Sequence, residues 1–268
     1  MSGSDYLNNI LSRHRKTLEE MRKEDEVFEE WKTHLVSWFN QMKYELGYSD
    51  IYLSIEKSGS RAKVTAIRGK SDIDIFLSIT DRNNRRTLEE YYEMTYNHIK
   101  TLNVTNVRKQ NVSIGVVYKG YSIDIVPAKK VNSLSYERLD DHYLWSTKRK
   151  ARMLTNIQKQ IDTVKISRLQ NIIILTKLWR ENHKLEFPSI YIELMVISAL
   201  QNKPNLNTAD AFWQVLLYIK DNIMCKKIVD PGNGNNIISD DLTQAEKRAI
   251  QNKAIDSVGA EYWQDIVW

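Results

Sequence analysis

Two stretches of the chain alternate between apolar and polar positions, a pattern typical of strands that bury one face. The apolar positions are Ile51, Leu53 and Ile55 in the first stretch and Ile73, Ile75 and Leu77 in the second. The residues Ser58, Gly59 and Ser60 follow the first stretch and are typical of a turn. The sequence therefore predicts a strand, a tight turn, a short helix and a second strand between residues 51 and 79.

The second strand carries two carboxylates on the face opposite its apolar residues. Asp72 and Asp74 stand two positions apart, so their side chains point the same way and lie about 6–7 Å from each other. A third carboxylate, Asp124, alternates with Ile123 and Ile125 in a later strand. If the two strands are neighbours, the three carboxylates converge and can hold two divalent ions about 3.5–4 Å apart, as in-line phosphoryl or nucleotidyl transfer requires.

The turn before these acids is suited to phosphate. Gly59 allows a sharp turn and a close approach of the backbone to a ligand, and Ser60 can cap the helix that follows. Free N–H groups at the start of a helix bind phosphate, and Mg²⁺ prefers oxygen ligands and binds together with substrate phosphates. The sequence therefore predicts two Mg²⁺ ions, for which Mn²⁺ can substitute, beside bound phosphates.

The pattern changes near residue 136, where strand patterns give way to helical ones. Earlier in the chain, helical spacing covers residues 5 to about 46 and 87–101, and strand patterns cover 104–109, 112–118 and 121–126. The later helices are predicted at 150–164, 166–182, 189–201, 207–224, 242–257 and 260–266. We therefore expect an α+β fold with two domains. Residues 1–135 form a bracing helix and a core with a mixed or antiparallel sheet, residues 136–268 form a helical domain, and the active site lies in the cleft between them.

Composition and charge indicate the location of the protein and the charge of its ligand, but not the reaction it catalyses. The formal net charge of +5 fits a polyanionic ligand such as a nucleoside triphosphate or RNA, although many unrelated proteins share it. No apolar run approaches the ~18 residues of a membrane span, and the N-terminus lacks the apolar segment of a signal peptide. The lone cysteine, Cys225, cannot form an internal disulfide. We expect a cytoplasmic protein with no membrane partner.

Two residues of the helical half have more than one interpretation. Lys177 lies in an apolar helical run, where its ammonium either extends to solvent or contacts a phosphate in the cleft. Ser189 follows Pro188 and is a natural N-cap, with phosphate contact as a second role.

The central stretch resembles the polymerase-beta-like nucleotidyltransferase superfamily. The signature of that superfamily is Gly-Ser, a gap, Asp-x-Asp on a strand and a later Asp. The matching residues here are Gly59-Ser60, Asp72, Asp74 and Asp124. Further segments are similar to bacterial cGAS/DncV-like nucleotidyltransferases (CD-NTases), most of all the E-type enzymes: Thr155-Asn156 on a helix, Lys177-Leu178-Trp179, Pro188-Ser189-x-Tyr191-Ile192-Glu193, and Asp230-Pro231 with Asn235-Asn236. The similarity runs from about residue 30 to the C-terminus.

The resemblance implies a template-independent enzyme that makes a cyclic oligonucleotide, above all a cyclic dinucleotide. Nucleoside triphosphates would be donor and acceptor, and pyrophosphate would leave. The product would be a second messenger of antiphage (CBASS-type) defence, sensed by a separate effector protein, and the enzyme would be a monomer. The implied roles are catalysis and metal binding for Asp72, Asp74 and Asp124, donor-phosphate binding for Gly59, Ser60, Lys177 and Ser189, and base recognition favouring a uracil-containing product for Asn156.

One departure from the family pattern affects the turn. Val64 stands where relatives usually carry glycine. If that position has a positive φ, a β-branched side chain is strained there, and triphosphate binding is less efficient.

Three alternatives remain open. The first is an enzyme that tails RNA or tRNA with the same acids, although the chain ends at Trp268 without an added RNA-binding module. The second is a homologue that binds nucleotides without turnover, and Val64 is the residue that favours it. The third is a toxin that transfers nucleotides to protein or tRNA.

Overall fold

The structure is a computed structural model that describes residues 2–131 and 140–268. Within these residues, seven strands form one mixed sheet. They are β1 (Ile51–Lys57), β2 (Ile73–Asp81), β3 (Thr105–Lys109), β4 (Ile114–Tyr118), β5 (Tyr121–Lys130), β6 (His142–Ser146) and β7 (Ala151–Thr155). The order is β1-β2-β5-β4-β3, and β6 pairs with both β5 and β7. Strands β2 and β5 are parallel, whereas the other neighbours are antiparallel.

The helices, together with this mixed sheet, confirm the predicted α+β class. They are α1 (Gly3–His14), α2 (Leu18–Glu45), α3 (Gly59–Ala62), α4 (Leu88–Lys100), α5 (Ile157–Ser167), α6 (Gln170–Asn182), α7 (Ser189–Leu200), α8 (Thr208–Asn222) and α9 (Gln244–Gly259). A two-stranded sheet of β8 (Val229–Asp230) and β9 (Asn233–Ile237) lies between α8 and α9 in the chain, and 3-10 turns cover Ile238–Asp241 and Trp263–Asp265.

The predicted N-terminal helix is two helices. Ser2 caps α1, and Asp5 completes the capping box from the third helical position. A second capping box begins α2, where the hydroxyl of Thr17 accepts from the backbone N–H of Glu20. The chain is interrupted between them because Arg15 is extended and forms an isolated β-bridge with Ile67. The Thr17-x-x-Glu20 spacing is a helix start signal that apolar periodicity alone overlooks.

The region between residues 140 and 170 also differs from the prediction. Residues 151–155 form β7 and not the start of a helix, because they pair with β6 along the edge of the sheet. Helix α6 begins at Gln170 because Arg168 has a φ of +57°, which ends helical geometry before it. The part of the expected helical domain at residues 136–139 lies outside the described residues.

The contacts along the chain define two compact units. The sheet unit comprises Lys16–Ala62 and Lys70–Ile161, and the helical unit comprises Met1–Arg15, Lys63–Gly69 and Asp162–Trp268. These units do not follow a single division at residue 135, since β6 and β7 extend the sheet and Ile67 packs in the helical core with α1.

Each unit has its own apolar core. In the sheet unit, alternate residues of β2 and β5 pack against α2 and α4, which contribute Trp31, Leu35 and Tyr92. In the helical unit, α6, α7 and α8 surround the buried side chains of Trp179, Tyr191 and Phe212. No helix of the described residues is both long and apolar enough to cross a membrane.

Candidate active site in the sheet unit

The parallel pairing of β2 and β5 brings two predicted acids side by side. Asp74 and Asp124 are Cα partners in the register of this pair. Adjacent strands are about 4.8 Å apart, and residues directly opposite each other point to the same face. The flanking residues Ile73, Ile75, Ile123 and Ile125 are all buried in the core. The carboxylates of Asp74 and Asp124 therefore share the other face of the sheet, as predicted.

The third acid, Asp72, precedes the first residue of β2 and interacts electrostatically with Asp124. Burial raises the pKa of Asp124, and the negative charge of Asp72 raises it further. Like charges in a partly buried place are unfavourable unless a cation compensates them. Among the residues that the structure describes, however, no three acidic, histidine or cysteine side chains are grouped so that they could hold a metal ion. The acids are neighbours, but they do not form a ready-made chelate.

Two polar residues beside Asp124 were not predicted from the sequence. The side-chain amide of Gln110 donates to Oδ1 of Asp124 at 3.1 Å, and the guanidinium of Arg108 is close enough to lower the pKa of this carboxyl, against the effects of burial and Asp72. Gly115 is the Cα partner of Asp124 on β4, and a Cβ there would lie 2.7 Å from Nε2 of Gln110 and 2.8 Å from Cζ of Arg108. The glycine thus provides the space in which both side chains reach the acid.

The turn before β2 is packed directly against Asp74. Gly59 has a φ of +60°, and a Cβ at this position would lie 1.8 Å from Oδ2 of Asp74. The backbone N–H of Ser58 donates to the backbone carbonyl of Asp74 at 3.1 Å. Ser60 lies in the four-residue helix α3 directly after this contact. Gly59 is therefore required twice, for its left-handed backbone and for its missing side chain.

Helix α2 holds the other side of the turn. The guanidinium of Arg61 donates to the carboxylate of Asp25 at 3.2 Å, and the ammonium of Lys57 donates to the same carboxylate at 2.8 Å. Burial would raise the pKa of Asp25, but these two cations lower it overall. With Asp72 and Asp74, these three residues line a small cavity. The sequence pattern gave no indication that α2 anchors the turn.

Asn156 lies in the sheet unit but not on a helix. It stands between β7 and α5 and is 2% exposed. Its Nδ2 donates to the carboxylate of Asp141 at 2.9 Å, and its Oδ1 accepts from the backbone N–H of Lys159 at 2.9 Å. The second contact is the geometry of an N-cap for α5, so both ends of the amide are used within the protein.

Lys177 and Ser189 belong to the helical unit, and their surroundings differ from the predictions. Lys177 does not extend to solvent, since it is 2% exposed and its ammonium donates to Oε1 of Glu193 at 2.8 Å and to the hydroxyl of Thr65 at 2.9 Å. The N-cap of α7 is Pro188, with no side-chain cap. Ser189 is instead the first helical residue, and its hydroxyl accepts from Arg180 at 3.2 Å.

Glu193 is the centre of a buried ion cluster that the sequence pattern did not reveal. Its Oε2 accepts from the ammonium of Lys63 at 2.8 Å, while Oε1 accepts from Lys177. Burial opposes ionisation of Glu193, but the two lysines lower the pKa of this carboxyl overall, and burial lowers the pKa of Lys177. The available signal was a single charge on each of two otherwise apolar helical runs, which is typical of a buried pair.

The strain expected at Val64 is present. Val64 has a φ of +60° and the residue is 62% exposed. Its neighbours Lys63 and Thr65 are both buried in the Glu193 cluster. Packing of the two neighbours holds the valine in a backbone conformation that a β-branched residue avoids.

The sequence matches no family model, and it matches no curated protein. Solved structures do match, and the fold they share with this chain is that of CD-NTases. CdnC of E. coli MS115-1, solved with ATP, has a TM-score of 0.69 at 21% identity and covers 89% of this chain and 85% of its own. The CdnE cyclic dinucleotide synthase of Elizabethkingia meningoseptica, solved with GTP and Apcpp, has a TM-score of 0.64 at 14% identity and covers 97% of this chain and 100% of its own.

These identities establish the fold and do not single out the E-type. A second structure of the E. coli CdnC, in complex with HORMA-deltaN, has a TM-score of 0.73 at 19% identity over 95% of this chain and 89% of its own. Likeness to CdnC is therefore at least as strong as likeness to CdnE, and the predicted E-type subgroup is supported only in part.

Proposed function

We propose that the chain is a CD-NTase that joins nucleoside triphosphates into a cyclic oligonucleotide without a template and releases pyrophosphate. The observation that carries the proposal is the pairing of Asp74 with Asp124 across β2 and β5, with the backbone of Gly59 packed against Asp74. The fold shared with cyclic dinucleotide synthases supports the same conclusion.

In this reaction, a ribose hydroxyl of the acceptor attacks the α-phosphorus of the donor, and the bond to pyrophosphate breaks. The hydroxyl loses its proton as the new P–O bond forms. Asp124 would complete the metal site on the acceptor side and help to lower the pKa of the acceptor hydroxyl. Gly59 and Ser60 would hold the β- and γ-phosphates at the turn.

The acids fit Mg²⁺ by their chemistry, since they offer only carboxylate oxygens, and burial together with the charge of Asp72 disfavours the ionised form of Asp124 when no cation is near. Asp72, Asp74 and Asp124 would hold the ions, with Mn²⁺ able to replace Mg²⁺. The bound ions would neutralise charge on the attacking and leaving oxygens. In the structure, Gln110 donates a hydrogen bond to Asp124, and the guanidinium of Arg108 lies near it. Both side chains would have to move when a metal ion binds Asp124.

The other predicted contacts with nucleotide would require residues to give up hydrogen bonds that they make within the protein. Contact of Lys177 and Ser189 with the donor phosphates would require Lys177 to exchange Glu193 for phosphate. Recognition of a base by Asn156 would require the loss of its contacts to Asp141 or Lys159. We also propose that the product is a cyclic dinucleotide and that it acts in antiphage defence through a separate effector. The enzyme would be a monomer and would be located in the cytoplasm.

The test is incubation of the pure protein with all four nucleoside triphosphates and Mg²⁺ or Mn²⁺, followed by mass spectrometry and a pyrophosphate assay. We expect a phosphatase-resistant cyclic product with the wild type. Asp74→Asn should reduce the rate by a factor of about 10³ or more, because it removes a carboxylate that would hold the divalent ion, and such an ion supplies several kcal/mol of charge stabilisation. The exposed Asp240→Asn is the matched control and should retain full activity.

Two outcomes would overturn the proposal. Near-full activity of Asp74→Asn would show that the acids are not catalytic. Extension of added tRNA in place of a cyclic product would favour the tailing enzyme.

A further inference from the structure

A row of register partners extends the candidate active site across the sheet. Asp74 on β2 and Asp124 on β5 are Cα partners, and Gly115 on β4 is the partner of Asp124 on its other side. Arg108 on β3 is in turn the Cα partner of Gly115. Residues directly opposite each other on neighbouring strands point to the same face. Arg108 therefore lies on the face of the carboxylates, with its Cα atom two strands, or about 10 Å, from that of Asp124.

The missing side chain of Gly115 allows Arg108 to lie across β4. A Cβ at Gly115 would lie 2.8 Å from Cζ and 3.0 Å from Nε of Arg108. The guanidinium is therefore about one strand nearer to Asp124 than the Cα atom of Arg108 is. It is close enough to act on the charge of the Asp124 carboxyl, but it makes no hydrogen bond with it.

The charge of Arg108 is not taken up by an ion pair. Arg108 is exposed, and it makes no ion pair or hydrogen bond with another of the described residues. By contrast, Arg61, Arg85 and Arg86 of the sheet unit are each paired with a carboxylate. If a divalent ion binds Asp124, the ion neutralises that carboxyl, and the guanidinium of Arg108 becomes available to another anion.

We propose that Arg108 binds the phosphates of the acceptor nucleotide, an inference that rests on the proposed nucleotidyl transfer. The donor phosphates would be held by Gly59 and Ser60, and Gly59 packs against Asp74. Arg108 lies at the other end of the row, beyond Asp124, which would complete the metal site on the acceptor side. A triphosphate beside three carboxylates needs a positive charge of its own, and a guanidinium can form two parallel hydrogen bonds with phosphate oxygens.

The first test is calorimetric titration of the full chain with the α,β-methylene analogues of ATP, GTP, CTP and UTP, singly and in pairs, with Mg²⁺ present. The bond whose cleavage releases pyrophosphate is blocked in these analogues, so binding is measured without turnover. We expect the wild type to bind two equivalents in total, one as donor and one as acceptor. Arg108→Gln should weaken one of the two by about tenfold or more, because charge-assisted hydrogen bonds to phosphate are lost.

Steady-state kinetics distinguish a phosphate contact from mere compensation of the charge of Asp124. The acceptor base identified by the product assay is offered as the nucleoside triphosphate and as the nucleoside without phosphates. Arg108→Gln should raise the KM for the triphosphate about tenfold, with a smaller change in kcat, since the lost contact is made in the ground state and the transition state alike. It should change the KM for the nucleoside less than about twofold. A residue that only compensated Asp124 would affect both acceptors equally.

Two matched variants complete the experiment. Arg248→Gln removes the same charge from an exposed position of the helical unit and should change the affinities less than about twofold, as expected for a screened charge. Arg108→Lys should recover part of the affinity, because it keeps the charge but not the paired hydrogen bonds. Thermal unfolding of each variant checks that the fold is kept.

The failure of this inference differs from the failure of the proposed function. Unchanged affinities in Arg108→Gln, equal effects on the two acceptors, or an equal loss in Arg248→Gln would overturn the inference and leave the proposed function in place. A wild type that binds none of the four analogues would overturn the proposed function, and the inference with it.

Discussion

In the sheet unit, Asp72, Asp74 and Asp124 bring like charges together, whereas in the helical unit Glu193 separates the charges of Lys63 and Lys177. Burial and then the charge of Asp72 raise the pKa of Asp124, whereas Lys177 and Lys63 lower the pKa of Glu193 against the effect of burial. Acids that repel one another are unfavourable for stability and suited to binding a cation. In the ion cluster, by contrast, the carboxylate and the lysines already compensate one another's charge. Both carboxyls are buried to a large extent, so burial alone does not identify a candidate active site. The sign of the neighbouring charges distinguishes the two places.

The largest effect is expected from breaking the cluster with Glu193→Gln. The substitution leaves two lysines buried without a counter-charge, so the free energy of unfolding should fall by about 3–5 kcal/mol. Urea unfolding measures it. Without Glu193, the folded-state pKa of Lys177 falls further below the unfolded value, so the penalty is greatest at low pH and part of the stability should return as the pH rises toward the pKa of a free lysine. Glu186→Gln, at an exposed position, should change stability by no more than about 0.5 kcal/mol, and an equal loss there would contradict the comparison.

The next effect concerns the acid side and uses Gly59→Ala. The added Cβ would meet Oδ2 of Asp74, so the carboxylate must move, and displacement of a reacting group by about 1 Å costs about a hundredfold in rate. The initial rate of pyrophosphate release measures the loss. Gly69→Ala is the control because Gly69 has a similar φ of +68° with nothing within 4 Å of its Cβ position. Equal losses in both variants would mean that backbone strain, and not the contact with Asp74, is responsible.

A smaller change is expected from Val64→Gly, at the exposed residue between two members of the cluster. The substitution removes about 1–2 kcal/mol of strain from the left-handed backbone conformation. Because glycine loses more conformational entropy on folding, the net gain in the free energy of unfolding should be about 0.5–1 kcal/mol. Chemical denaturation measures the gain. Asn202→Gly has a comparable φ of +62° and should gain less, since asparagine tolerates this conformation. A loss of stability in Val64→Gly would show that the valine side chain makes a favourable contact.

The finest test compares the pH dependence of the acids with and without a donor on Asp124. Gln110→Leu removes the hydrogen bond that lowers the pKa of this carboxyl, so its pKa should rise and the acid limb of the pH–rate profile should move to higher pH. Ser113→Ala should produce a smaller shift in the same direction, because the hydroxyl of Ser113 only orients the amide of Gln110. An unmoved limb or one at lower pH would exclude Asp124 as the titrating group.

The sequence predicted the acid side of this comparison better than the ion cluster. Alternation around Asp74 and Asp124 is a local pattern, and it correctly identified the two strands and the shared face. The contacts of Gln110 and Arg108 with Asp124 were not predicted, because they are made across the β3–β4 and β4–β5 pairings. No local spacing in the sequence indicates such pairings. Glu193 escaped because its partners lie on a turn and on another helix.

The errors in the fold have the same physical origin. Strand β7 was expected to be helical because its five residues are too short for a clear period and are determined by pairing with β6. Ser189 was expected to cap α7, but Arg180 donates to its hydroxyl, and the helix begins after Pro188 without a side-chain cap. Local chemistry made both expectations reasonable, and tertiary partners decided otherwise.

The parallel pairing of β2 with β5 has a consequence for how the protein folds. The β4–β5 hairpin closes through Lys119 and Gly120, adjacent residues that can meet quickly. Asp74 and Asp124 are fifty positions apart in the chain, and their strands pair only after α4, β3 and β4 have been accommodated between them. Contacts between distant residues are slow because loop-closure entropy must be overcome first. We therefore expect the carboxylates to meet late on the folding pathway, so that a nascent or half-folded chain carries them apart and acquires its concentrated negative charge only when the centre of the sheet closes.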